Sequence, residues 1–297
     1  MGRTRVRGID LGGTKVAIEV PGHLDWRWPD TSYDAFAVAP HGAEVHVGVR
    51  VGAPPALPRG GFLYETDSHR FEVVECPGGW GVTVHGASGR ERVAIFDEGF
   101  SNGEVTLTPS AAAAGIAPLA HPLDELVALH RVVRAGGIVV RGRVAERAGR
   151  AIVFLGAPAS VPSGEPGWRS AGLQRLAGDR IVVRPIGGEV RAIAAPWNGD
   201  GLATGSRPVV EALHVVHPSH AVVAERPDRD AAITDLLAHA VAPIHDDRCA
   251  DRLFDVAAEL VERIPVLRVG LPEERRTLGL GWVRGAFGER APASVAR

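Results

Sequence analysis

Lysine is almost missing from this chain: Lys15 is the only one among 33 basic residues in 297 positions. Nearly every cation is therefore an arginine, which meets phosphate through a planar fork rather than a point charge. Cysteine is also scarce. Cys76 and Cys249 are too few for a disulfide scaffold, and their number suits a reducing compartment, so a cytoplasmic location is expected. No apolar run approaches the ~18 residues that a membrane span requires. The start, Met1-Gly2-Arg3-Thr4-Arg5-Val6-Arg7, has no apolar stretch after its charges and does not read as a secretory signal. A formal charge of −2 supplies no field for nucleic acid or an anionic membrane, and neither partner is expected.

What is present is ordinary globular material. Hydrophobic residues make up 45% and charged residues 23%, enough for a sizeable core in one large domain or two smaller ones. Residues 1–110 read as a β-rich region of short alternating strands bounded by Gly, Pro and Asp, mostly antiparallel. Within it Val45, Val47 and Val49 share one face. Pro122-Leu123-Asp124-Glu125 opens a helix whose apolar stripe is Leu126, Leu129, Val132 and Val133, stopped by Gly136-Gly137. Strands are expected at 138–146, 150–155, 180–184, 189–193, 212–216, 221–224 and 265–269. Helices are expected at 168–176, 228–240 and 249–263. A core domain over 121–270 and an extension over 271–297 complete the division, all in one compact unit. The fold class expected is α/β or α+β.

The central motif follows the buried strand Ala151–Leu155. Gly156 and the loop after it fall in the frame G-x-x-x-x-G-K-[ST], which puts Val161 at the second glycine, Pro162 at the lysine and Ser163 at the hydroxyl. A working loop points successive N–H groups at the phosphates and brings a lysine to their outer oxygens. Pro162 has neither N–H nor charge, and it biases Val161 towards extended geometry. Arg169, Arg175 and Arg180 are the nearby cations. An ordinary Pro/Gly/Ser-rich surface loop would read the same way.

The order of elements from Leu123 to Val269 resembles the HPr kinase/phosphorylase-related family, whose catalytic domain is a P-loop fold shared with ATP-dependent phosphoenolpyruvate carboxykinase. The carriers are the helix and Gly136-Gly137, the strand Ile138–Val144, the strand Arg150–Gly156, Leu176–Arg184, and Ala194-Ala195-Pro196-Trp197-Asn198-Gly199. In the family a lysine holds phosphate, an acid pair holds Mg²⁺, and one acid assists the attacking hydroxyl. Here Arg141 stands where a histidine is usual, Val161 and Pro162 replace Gly-Lys, and Gly178 leaves Asp179 without its acidic companion. The resemblance thus implies a degenerate member: a pseudokinase acting as a binding or assembly subunit, with a protein or peptide of the same pathway as partner. A homo-oligomer is compatible with it. On that reading no residue is catalytic, no cofactor or metal is required, and Gly156, Ser160 and Ser163 form a vestigial nucleotide loop. The alternative is an active ATP-dependent kinase of a Ser side chain or small hydroxylated metabolite. It would use ATP and Mg²⁺, with Asp179 catalytic and Ser163 and Asp179 holding the metal.

Other constellations carry less. Gly8-Ile9-Asp10-Leu11-Gly12-Gly13-Thr14-Lys15 resembles the phosphate-1 loop of ROK-family sugar kinases, but a strand–turn–strand hairpin accounts for it, and no second phosphate loop, catalytic segment or cysteine cluster accompanies it. His214, His217 and His220 cannot converge on a straight strand. His245-Asp246-Asp247-Arg248-Cys249 gathers ligand types, yet reads as a turn and helix N-cap.

Overall fold

The computed structural model describes residues 3–28, 31–65, 70–86, 89–156, 174–198 and 205–272. The chain is a mixed α/β protein with two sheets, in which strands predominate. It divides into two compact units: residues 1–135 with 242–250, and residues 136–241 with 251–297. Among the described residues no helix is long and apolar enough to cross a membrane.

Among the described residues the first unit holds nine strands: β1 (Thr4–Leu11), β2 (Thr14–Pro21), β3 (Ala37–Val38), β4 (Val45–Val51), β5 (Phe62–Glu65), β6 (Arg70–Cys76), β7 (Gly79–Gly86), β8 (Gly89–Asp97) and β9 (Asn102–Leu107). Their order is β3-β1-β2-β4-β9-β8-β7-β6-β5, antiparallel except where β4 runs parallel to β2 and β9. Alternation sorts the faces as expected: Val45, Val47 and Val49 are buried while His46 and Arg50 are exposed.

This unit also carries the helices α1 (Pro109–Ala113) and α2 (Leu123–Arg134). Acids in the first turn of α2 and arginines in its last suit the helix dipole, and Gly136, at φ 73°, stops it in the left-handed region. The stripe foreseen from sequence is only part of what α2 buries: Leu123 to His130, with Val132 and Val133, are all buried.

The second unit is built on β10 (Ile138–Arg147), β11 (Arg150–Leu155), β12 (Gln174–Ile186), β13 (Glu189–Ile193), β14 (Val209–Pro218), β15 (Val223–Glu225) and β16 (Val266–Leu271). The sheet runs β11-β10-β12-β13-β14-β16-β15, and β11 also pairs with β14, so β10, β11, β14, β13 and β12 form a closed circuit. Strand β11 is antiparallel to β10 and parallel to β14, and β14 is parallel to β16. Ala151 to Leu155 are all fully buried, the signature of a strand covered on both faces.

Among the described residues the remaining α-helices are α3 (Arg229–Ala238), capped by the Asp228 carboxylate on the N–H of Ala231, and α4 (Asp247–Arg263). The helix expected over 168–176 is corrected at its end. Residues 168–173 lie outside those described, and Gln174 to Leu176 open β12, where their backbone is held by the antiparallel ladder to β10.

Candidate functional site

Two places in the molecule gather chemistry. The first is the exit of β11, where the sequence frames its phosphate loop. Cross-strand register lines up Asp179 on β12, Gly142 on β10, Leu155 on β11, Val215 on β14 and Arg268 on β16. Gly142 permits this close approach: a Cβ there would lie 2.1 Å from the Phe154 carbonyl oxygen. One residue beyond that row, Arg141 faces Arg180 across the β10–β12 ladder, and the N–H of Gly156 donates to the Arg141 carbonyl at 3.4 Å. Gly156 is buried with φ 150°, a conformation that favours glycine.

Of the site residues drawn from sequence, Gly156 and Asp179 are brought to this strand end. Asp179 is exposed and has φ 72°, a left-handed geometry that Asp tolerates better than most residues. Ser160, Val161, Pro162 and Ser163 lie outside the described residues. Arg268 is turned to other work, forming a two-pronged ion pair with Asp235 at 2.6 and 3.1 Å. On β14, His214 is buried and His217 exposed, so those two rings do not converge.

The second place lies within the first unit, where α2 supplies His130 and the segment before and into α4 supplies His245, Asp246 and Cys249. His130 sits one residue after Leu129 on a helix buried almost all round. Its ring stacks on Phe100 with centroids 3.9 Å apart. Phe100 reaches it through a turn between β8 and β9 in which the Asp97 carboxylate accepts from the backbone N–H groups of Ser101, 2.7 Å, and Asn102, 2.9 Å. That turn holds Phe100 at φ 52°, unusual for a bulky side chain.

The polar atoms are closely set. Nε2 of His130 is 3.0 Å from Nε2 of His245, whose Nδ1 is 3.0 Å from the Tyr64 hydroxyl. Nδ1 of His130 lies 3.5 Å from Oδ2 of Asp246 and has no hydrogen-bond partner among the described residues. Asp246 also accepts from the N–H of Cys249 at 3.1 Å through Oδ1. This is the N-cap role expected for the segment, performed by one carboxylate oxygen while the other faces His130. His130, Asp246 and Cys249 form a group whose ligand atoms all lie within 4.8 Å of one another, and all three residues are buried.

Burial governs the protonation here. It holds His130 far below its usual pKa, at about 2, with His245 and Arg134 adding to the effect. Burial likewise lowers His245 to about 4, partly opposed by Asp246. The Cys249 thiol is pushed up to about 12 by burial and by the Asp246 carboxylate. Both imidazoles are therefore neutral and the thiol protonated near pH 7. A cleft of about 360 Å³ is lined by Trp80, Glu98, Arg134, His245 and Asp246 among others.

The segment 245–249 is visible in sequence as a run of ligand types; His130 is not. The signal available was its place one step along the apolar stripe of α2, where a polar residue on a buried face needs a partner. The chain matches no family model and no curated protein.

Proposed function

We propose that this chain is a catalytically impaired, HPr-kinase-like cytoplasmic protein, a pseudokinase that binds or assembles with a protein or peptide partner. The carrying observation is the exit of β11. A fully buried interior strand, parallel to β14, ends at a buried glycine with positive φ, as a strand feeding a phosphate loop does. The sequence then places Val161 and Pro162 where a glycine and a lysine would complete the cradle. Losing one transition-state donor costs about 10²–10³ in rate. The loss of a donor together with the local cation leaves binding as the role the remaining frame suits. The partner's class rests on the resemblance alone.

Titration with ATP·Mg²⁺ while following thermal unfolding tests this. An intact site at about 100 times its Kd would add about 2.7 kcal/mol. The native chain is expected to show no shift, and the double change Val161→Gly with Pro162→Lys to introduce one. A clear shift in the native chain, with phosphate transfer abolished by Asp179→Ala, overturns the reading.

One observation favours an active kinase instead. Asp179, Arg141 and Arg180 occupy neighbouring register positions at the strand exit, an acid and two cations of the types a metal-bound phosphate takes. Among the described residues the acid row there holds Asp179 without a second carboxylate beside it, since Gly178 precedes it. The same titration separates the two readings.

A further inference from the structure

We propose that His130, Asp246 and Cys249 form a binding site for a single transition-metal ion of the zinc class, in the first unit and independent of the β11 exit. The ligand set mixes an imidazole nitrogen, a carboxylate oxygen and a thiolate sulfur, all donors that Zn²⁺ accepts. One pair of the set already stands at the spacing such an ion sets, and the third donor lies within 4.8 Å of both. Ligands at about 2.0–2.3 Å from a tetrahedral ion stand about 3.3–3.7 Å apart. Nδ1 of His130 and Oδ2 of Asp246 are separated by 3.5 Å, long for a hydrogen bond and right for two corners of a tetrahedron.

An unpartnered nitrogen on a fully buried ring is a costly feature unless something uses it. Its orientation is fixed from the other side. For Nδ1 of His130 to present a lone pair, Nε2 must carry the proton and donate to Nε2 of His245. The Nδ1–H of His245 then donates to the Tyr64 oxygen. Both contacts are 3.0 Å, so one tautomer satisfies the whole chain of partners. This is the outer support that metal-bound histidines characteristically have. Phe100 stacked on the ring removes its remaining freedom.

Charge closes the case. A thiolate and a carboxylate beside a neutral imidazole carry −2, which a divalent ion cancels in a buried site. Asp246 lines the cleft on one side of the group, and three protein donors leave a fourth position for water or a small ligand.

Cobalt(II) added to the full-length, chelator-treated protein tests the site directly, because thiolate ligation produces an intense near-ultraviolet charge-transfer band. The expected result is one Co²⁺ per chain with that band, displaced by Zn²⁺. The band should be lost in Cys249→Ser and kept in Cys76→Ala. Asp246→Asn keeps the acceptor for the Cys249 N–H, so it should fold while binding the ion more weakly, because it loses a charged oxygen donor. Because the thiol must shed its proton, affinity should rise about tenfold per pH unit between pH 6.5 and 8.5, and this slope should flatten in Cys249→Ser. Absence of the band, a band undiminished in Cys249→Ser, or binding that does not change with pH overturns the proposal.

Discussion

Phe154 on β11 and His214 on β14 are register partners across a parallel pair, and their rings meet edge to face with centroids 5.4 Å apart. Both are buried, and burial lowers the His214 pKa to about 4. In the unfolded chain the same ring titrates near 6.5. The folded state thus binds its proton less tightly, and the stabilisation from the neutral ring is complete above pH 6.5. It drains away as pH falls from 6.5 towards 4, by on the order of 3 kcal/mol in all. Urea denaturation at a series of pH values should show an acid limb to which His130 and His245 also contribute, and His214→Phe should make it shallower.

Arg92 is a buried guanidinium that ties down a loop. It donates to the carbonyls of Ala117, 2.9 Å, Ala120, 3.0 Å, and His121, 3.0 Å, and pairs with Glu91 at 3.0 Å. Arg92→Met keeps the apolar stem but leaves these carbonyls and the acid without their partner. A loss of about 3–5 kcal/mol is expected by equilibrium denaturation. A loss under 1 kcal/mol would mean that water replaces the guanidinium freely.

Gly142 sets how closely β10 and β11 approach. With a Cβ 2.1 Å from the Phe154 carbonyl oxygen, Gly142→Ala must push apart two backbones, with no flexible side chain to give way. The expectation is a loss of more than about 2 kcal/mol, within the range for overpacked cores. Gly149→Ala meets nothing within 4 Å but sits at φ 78°, and its cost of about 1–2 kcal/mol is conformational. Comparing the two denaturation midpoints separates crowding from backbone strain.

Asp97 shapes the turn that presents Phe100. Asp97→Ala removes the acceptor for the Ser101 and Asn102 N–H groups and should cost about 1–2 kcal/mol. Asp97→Asn retains an acceptor and should lose less. If the turn relaxes, the Phe100–His130 stack loosens as well, which histidine ring resonances in NMR spectra would report.

Much of the fold was readable because local rules agree with the global arrangement. Val45, Val47 and Val49 alternate inward on β4, Gly12-Gly13 close a two-residue hairpin between Leu11 and Thr14, and Asp228 caps α3. The failure at Gln174 to Leu176 has a plain cause. Gln, Arg and Leu are good helix formers, but the preference is worth only tenths of a kcal/mol per residue, and antiparallel pairing with β10 overrides it. The pairing of β11 with β14 joins residues some 60 apart and has no local signature. The same holds for the second site. His245, Asp246 and Cys249 are neighbours in sequence, whereas His130 stands more than a hundred residues earlier, and only tertiary packing brings the two histidines to 3.0 Å.

The closed circuit of β10, β11, β14, β13 and β12 bears on how the chain survives crowding. Strand β11, the most apolar of that ring, has ladder partners on both flanks, so its amides and carbonyls offer no template to a second copy. The outer flank beyond β16 is covered by β15, only three residues long and ending in Glu225. So short a margin, ending in an acid, discourages strand-to-strand clumping along this edge of the described sheet.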